Sequence, residues 1–367
     1  MDYMERALTL AKLALGHSSP NPAVGAVIVR EGAVVGEGFT QPPGGLHAEI
    51  VALNQAGGQA RGSSLYVTLE PCCHYGRTPP CSRAVVEAGV AQVHVAMLDP
   101  NPLVAGKGKA ELEAAGISTF LGEKAQEAQE LNEAYVKYIT QKRPFIIVKF
   151  AMSLDGKIAT RSGDSRWISG EASREWVHQL RAKVDAVLVG VDTVIADDPE
   201  LTARPGEVVG PSAIRQPLRV VVDSRGRMPL NARMLRATGK TLVATTMVMP
   251  PYKRQRLNDA GGEVLILKEQ DGRVDLRLLL DHLGQREVTS VLVEGGSAVL
   301  GSFFDERLVD KVYAFIAPVI IGGIEAKTAV GGKGVARMAE AIRLEQIRTE
   351  NLGNDLLMTG YPARGKG

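Results

Sequence analysis

Residues 46–58 read LHAEIVALNQAGG and residues 68–81 read TLEPCCHYGRTPPC. The first sets His47 and Glu49 two positions apart where a helix begins, and the second holds every cysteine of the chain: Cys72, Cys73 and Cys81. If His47, Cys72 and Cys81 share one zinc ion, an imidazole and two thiolates leave a fourth tetrahedral position for water, the catalytic arrangement. Zinc lowers the pKa of such a water towards neutrality. Attack on an amidine-like ring carbon then needs a group that carries the water's proton to the departing amine, and Glu49 is the candidate. Helical residues two apart point about 200° from one another, so the pair converges only at a helix entry. That places the helix start at about Ala48 and its end at Ala56, before Gly57-Gly58. Cys81 heads SRAVVEAG, a second helix start, where free N–H groups stabilise a thiolate. A structural zinc would take four protein ligands instead, with Cys73 or His74 closing the site.

Outside these stretches the composition is that of an ordinary globular protein. With 367 residues and 39.2 kDa the chain exceeds a single core, so two domains are expected. A formal charge of +2 without a dense basic block argues against a nucleic-acid groove. The longest apolar stretch, VYAFIAPVIIGG at 312–323, is too short to span a bilayer. The N-terminal MDYMERALTLAKLAL carries acids at amphipathic spacing, unlike a signal peptide. Three cysteines within ten residues do not make a disulfide framework. These features predict a cytoplasmic protein with no membrane or nucleic-acid partner.

Strand and helix signals alternate. Residues 2–15 have helical apolar spacing, and AVGAVIVREGAVVGEG reads as a hairpin turning at Glu31-Gly32. SSLYVTL and AQVHVAML read as strands, and GKGKAELEAAG and EKAQEAQELNEAYVKYITQ as one helix each. The pattern restarts after Arg143 with FIIVKFAMSLDGKIA. There follow a helix near 173–183, the strands AVLVGVDTV, LRVVVDS, TLVATT and EVLIL, a helix near 274–283, and SVLVEGG. Two α/β domains, 1–143 and 144–367, are therefore expected. TARPGEVVGPSAIRQP reads as a surface loop and YPARGKG as a mobile tail.

H-x-E followed by P-C…C is the signature of zinc nucleobase deaminases, although here eight residues separate Cys72 from Cys81 where two are usual. With NPAVGAVIV (21–29) and DPNPLVAGKG (99–108), this half resembles the deaminase part of the bifunctional riboflavin biosynthesis deaminase–reductases. The resemblance extends to the other half through VKFAMSLDGKIATRSGDSRWIS (148–169) and VGVDTVIADDPELTAR (189–204). It implies a cytidine-deaminase-like three-layer α/β/α domain and a dihydrofolate-reductase-like α/β domain. It further implies one Zn2+ and NADPH as cofactors, pyrimidine ribotide phosphates as substrates, and a homo-oligomer.

Position by position, the likeness implies His47, Cys72 and Cys81 as metal ligands and Glu49 as catalytic carboxylate. Asn21, His74, Arg77 and Asn101 become deaminase substrate residues. Ala151, Trp167, Thr193, Asp197, Ser224 and the run Gly296, Ser297, Ala298, Val299, Leu300, Gly301 and Ser302 become cofactor residues. Lys149, Ser165, Arg181, Leu201, Arg204 and Glu294 become reductase substrate residues. An amide suits a pyrimidine edge and a guanidinium a phosphate, and a helix N-terminus at Gly296 suits a pyrophosphate. Asn21-Pro22 and Asn101-Pro102 are also ordinary turn formers, and Arg181 also fits a plain surface helix. The reductase's proton donor stays open between Lys149 and a water held by Asp197. Thr40 stands where related sequences usually carry histidine. Two other readings compete: a polynucleotide base deaminase with an appendage, and a structural zinc clip joined to a nucleotide-sensing module.

Overall fold

The computed structural model describes residues 2–76, 79–204 and 215–363. Two compact units divide the chain between Arg143 and Pro144.

The first unit runs α1 (Tyr3–Lys12), β1 (Gly25–Arg30), β2 (Ala33–Phe39), α2 (Ala48–Ala56), β3 (Ser64–Val67), α3 (Cys81–Glu87), β4 (Gln92–Val95), α4 (Lys107–Ala114), β5 (Ser118–Leu121), α5 (Ala125–Leu131) and α6 (Glu133–Gln141). Its sheet has the order β2-β1-β3-β4-β5, with β1 antiparallel to both neighbours and β3, β4 and β5 parallel. The hairpin turns at Glu31 and Gly32, both left-handed (φ 51° and 79°), the conformation that matches strand twist in a two-residue turn. Alternation along β1 divides the core into two layers. Ala26 and Ile28 pack with Ala48, Ala52 and Ala56 of α2, while Val27 and Val29 pack with Met4, Ala7 and Leu8 of α1. Gly36 and Gly38 let α2 lie directly on β2. A Cβ at those positions would come within 2.2 Å of the Ala52 carbonyl and 2.3 Å of the Ala48 carbonyl. The sheet thereby sets where α2 begins, and with it the position of His47.

One expectation needs correction here, and one strand lies outside the expected elements. EKAQEAQELNEAYVKYITQ is two helices, because Asn132 turns its amide inward at the break. That amide accepts from the Ala23 N–H (2.8 Å) and donates to the Ala23 carbonyl (3.0 Å). The short strand β5, with only four residues, carried no periodic signal strong enough to read.

The second unit runs β6 (Phe145–Ser153), α7 (Glu171–Lys183), β7 (Ala186–Gly190), α8 (Val191–Asp197), β8 (Leu218–Val222), β9 (Thr241–Thr245), α9 (Pro251–Asp259), β10 (Gly262–Ile266), β11 (Glu269–Gln270), β12 (Arg273–Val274), α10 (Leu276–Gln285), β13 (Ser290–Gly295), α11 (Ser297–Asp305), β14 (Lys311–Ala317), β15 (Leu344–Leu352) and β16 (Asp355–Pro362). Nine strands form one sheet, β10-β9-β8-β7-β13-β6-β14-β16-β15, parallel as far as β14 and antiparallel beyond. Leu279, Leu280 and Leu283 of α10 and Leu300 and Phe303 of α11 cover one face, and Val177 of α7 packs with Phe315 and Leu357 on the other.

AVLVGVDTV is a strand only to Gly190; residues Val191–Asp197 turn into α8, burying Val191 and Val194 at helical spacing. The expected surface loop at 202–217 starts buried. Thr202 and Ala203 are enclosed, and Gln216 bonds both backbone groups of Ala203; residues 205–214 lie outside the described residues. The expected mobile tail opens as the end of β16, and residues 364–367 lie outside the described residues. No described helix is long and apolar enough to cross a membrane.

Candidate active sites

In the first unit three elements converge on a cluster of metal-ligand atoms. His47 is the residue before α2, Cys72 follows the end of β3, and Cys81 opens α3. The His47 Nδ1 lies 3.6 Å from the Cys72 Sγ and 3.3 Å from the Cys81 Sγ, and all three ligand atoms fall within 4.8 Å of one another. The loop is closed by backbone: the Cys81 N–H donates to the Cys72 sulfur (3.4 Å) and the Ser82 N–H to the Cys72 carbonyl (3.1 Å). Hydrogen bonding from Cys81 outweighs burial, and with His47 it brings the Cys72 thiol down to about 4. Cys81 is pushed upward as the partner that keeps the proton. One sulfur of the pair is thus anionic, as a metal ligand must be. Glu49 is 4% exposed, and its carboxyl is raised to about 7, first by burial and then by the Cys72 charge. Among the described residues neither Cys73 nor His74 joins this donor group. The Cys73 sulfur faces the Leu103 carbonyl at 3.8 Å. One nitrogen and two sulfurs on rigid element ends fit an open zinc site better than a sealed one.

In the second unit a cavity of about 870 Å³ opens beyond the ends of β6, β7 and β13. Lys149 and Ala151 enter it from β6, Ser165 and Trp167 from the following segment, and Arg181 from α7. Thr193, Asp197, Leu201 and Arg204 line it from α8 and the loop after it, and Glu294, Gly296, Ser297 and Leu300 from the β13–α11 junction. Arg181 grips Glu294 through two hydrogen bonds (2.6 and 2.8 Å). Burial, the largest single influence, works to raise the Glu294 carboxyl, but the charge and hydrogen bonds of Arg181, with the Lys149 charge, together outweigh it and the net shift is downward. Lys149 is lowered by burial, against the Glu294 charge, and its Nζ lies 5.4 Å over the Phe315 ring. Trp167 is 71% exposed, with the Arg174 guanidinium 4.7 Å over its ring.

A family model described as the RibD C-terminal domain matches residues 144–358, and one described as the cytidine and deoxycytidylate deaminase zinc-binding region matches residues 1–97. The riboflavin biosynthesis protein RibD of Actinobacillus pleuropneumoniae is 43% identical, over 98% of this chain and 94% of its own. The chain belongs to the RibD family. A solved structure of Acinetobacter baumannii RibD superposes with a TM-score of 0.88 at 40% identity, covering 99% of this chain and 98% of that one. A Thermotoga maritima structure, titled a diaminohydroxyphosphoribosylaminopyrimidine deaminase/5-amino-6-(5-phosphoribosylamino)uracil reductase, superposes at 0.85 with 35% identity and 98% coverage of both chains. Membership bears out the expected fold class, a cytidine-deaminase-like domain followed by the dihydrofolate-reductase-like RibD domain.

Several expected residues in this RibD chain sit apart from the cavity and the cluster, or are already engaged. Ser224 accepts from the Val274 N–H (3.0 Å), and Ser302 accepts from Arg273 (3.2 Å) and donates to the Ala298 carbonyl (3.0 Å). Ala298, Val299 and Gly301 do not line the cavity either; Val299 packs towards Gly190, and Gly301 packs against Gly331. Arg181, expected at a phosphate, spends its fork on Glu294. Asn101 accepts from the Leu103 N–H (3.1 Å) in its own turn. Asn21 sits in the loop that Asn132 holds through Ala23. The His74 Nδ1 is buried without a hydrogen-bond partner among the described residues, and Arg77 lies outside them. The Thr40 hydroxyl is buried and shared with both backbone groups of Val24 (3.1 and 3.4 Å), so threonine here ties β2 to β1.

Sequence reading passed over Glu70. It is buried, and it accepts from the backbone N–H groups of Asp99, Gly106 and Lys109 at 2.9–3.1 Å. Asp99 in turn accepts from the Tyr135 hydroxyl at 2.9 Å. The only available signal was an acid inside the apolar-flanked TLEP, and its partners are 29 to 39 positions away.

Proposed function

We infer that this chain is the bifunctional deaminase–reductase of riboflavin biosynthesis. Its first unit converts 2,5-diamino-6-ribosylamino-4(3H)-pyrimidinone 5′-phosphate, taking up water and releasing ammonia. Its second unit reduces the ribosyl group of that product to give 5-amino-6-ribitylamino-2,4-pyrimidinedione 5′-phosphate. The observation that carries this reading is the convergence of the His47 Nδ1, two sulfurs and a buried carboxylate in a chain whose other half holds a large cavity reached by Lys149, Arg181 and Glu294.

His47, Cys72 and Cys81 would hold zinc. A bound zinc ion supplies the Lewis acidity that makes water reactive near neutral pH. Glu49 takes up and returns a proton at its carboxylate, and its raised pKa suits both directions near pH 7. In the second unit NADPH would supply hydride while the protein supplies placement. Gly296 and Ser297 at the start of α11 offer N–H groups to its pyrophosphate. Lys149 and the Arg181–Glu294 pair lie where a ribosyl group would pass, and the largely exposed Arg204, 3.7 Å from the Glu200 carboxylate, is placed to reach a phosphate. A cytoplasmic location and a homo-oligomeric state belong to the same reading.

The test combines metal analysis with two assays on the purified chain. Zinc near one per chain, ammonia release from the diaminopyrimidine ribotide, and NADPH oxidation with the deaminated ribotide are expected. Deamination of RNA but not of the free nucleotide would overturn the reading.

A further inference from the structure

His178, on α7 one turn before Arg181, belongs to no role given so far. It is half-buried and lines the cavity of the second unit. Its Nδ1 lies 3.1 Å from the Thr202 carbonyl. A carbonyl only accepts, so Nδ1 carries the proton and Nε2 carries the lone pair in the neutral ring. The same carbonyl accepts from the Arg181 Nη1 at 3.3 Å, which fixes the ring's anchor from a second side. Nε2 has no protein hydrogen-bond partner among the described residues. Burial holds the imidazole pKa below its ordinary value; Arg181 and Arg204 add to this, and the Thr202 bond and Glu294 oppose it. The ring is therefore neutral at pH 7, and Nε2 is an acceptor.

The neighbouring groups define what that acceptor can read. Lys149, Arg181 and Arg204 are donors only. Each Glu294 oxygen already accepts one hydrogen bond from Arg181, which leaves the His178 Nε2 as a neutral acceptor beside a charged one. A phosphate dianion has no proton to offer Nε2, whereas a sugar hydroxyl does. Resting on the reductase reading above, we propose that His178 determines specificity in this cavity by accepting, at Nε2, a hydrogen bond from a hydroxyl of the ribosyl substrate.

The test is steady-state NADPH-dependent reduction of the deaminated ribotide and of its 2′-deoxy and 3′-deoxy analogues. The wild-type chain should lose about ten-fold in kcat/KM on the analogue that lacks the hydroxyl read by Nε2. His178→Asn keeps a donor towards the Thr202 carbonyl but places no acceptor at the Nε2 position. It should lose about ten-fold on the natural substrate, mainly through KM, and treat natural and deoxy substrates nearly alike. His178→Gln, whose amide reaches the Nε2 position, should recover part of the discrimination. The KM for NADPH should be the same in all three chains, and a far-UV CD spectrum and thermal midpoint close to wild type report that the second unit of each is folded. Full discrimination retained in His178→Asn would overturn the proposal. A wild-type chain that reduces none of these compounds would instead overturn the reductase reading itself.

Discussion

Arg219 is 1% exposed, and its guanidinium meets no carboxylate in hydrogen-bonding range among the described residues. Its donors go to the Thr241 hydroxyl and to the carbonyls of Ala237, Thr238 and Gly239, with the Glu200 carbonyl at 3.5 Å. A planar five-donor fork matches such a ring of carbonyls, and a lysine does not. Arg219→Met leaves those carbonyls unpaired and should cost about 3 kcal/mol of stability, read as a fall in thermal midpoint; Arg219→Lys should recover only part of it. Because the Glu200 carbonyl precedes Leu201 in the cavity wall, the KM of the reductase should rise as well. In PLRVVVDS this arginine looked like one more position on a strand, since nothing in its neighbours announces a turn 18 to 20 residues later. Glu49 is the opposite case, legible because its partner His47 is two positions away. Glu49→Gln keeps the shape of the side chain but cannot accept the water's proton. Deaminase kcat should fall roughly 10²–10⁴-fold, with zinc content and NADPH oxidation unchanged; deaminase turnover within a few-fold of wild type would refute the assigned role.

At the scale of elements, Glu70 organises the wall beside the His47, Cys72 and Cys81 donor group. One oxygen takes the N–H groups of Asp99 and Gly106, and the other takes that of Lys109 in the first turn of α4. A carboxylate at a helix N-terminus satisfies donors that the helix itself cannot. Gly108 completes the contact, since a Cβ there would lie 2.0 Å from the Pro71 carbonyl, next to Cys72, a proposed ligand. Glu70→Gln should cost about 1–2 kcal/mol and raise amide exchange across 99–109, with zinc still bound; unchanged exchange there would show that the segment is held by other means. The hairpin, α2 and α3 were readable because turn residues, apolar spacing and glycine stops lie within a few positions of what they control. The α5–α6 break was not, because Asn132 answers to Ala23, 109 residues earlier. α8 was misread because VGVDTV has strand-like composition, and only the sheet end at Gly190 forces the turn.

For the molecule as a whole, each unit carries its own core and its own chemistry. The His47, Cys72 and Cys81 donor group draws on residues 47 to 81 and the cavity on residues 149 to 329. Dialysis against a strong chelator should therefore abolish ammonia release and leave NADPH oxidation with the deaminated ribotide within about two-fold. Parallel loss of both activities would mean that the metal also supports the second unit. By itself the sequence determined the division near Arg143, the α/β character of both halves, and the His-x-Glu and cysteine pattern, all of which are written in short-range spacing. The family membership rests on motifs of the same contiguous kind. Tertiary structure alone decided that Arg181 answers to Glu294, that Thr40 binds Val24, and that Glu70 and Arg219 serve backbone rather than ligand. It also decided that His178 turns its protonated nitrogen towards Thr202. The physical reason is that a hydrogen bond or ion pair depends on distance and direction in space. Chain spacing reports those only within a turn of helix or the width of a hairpin, and these partners lie 16 to 113 positions apart.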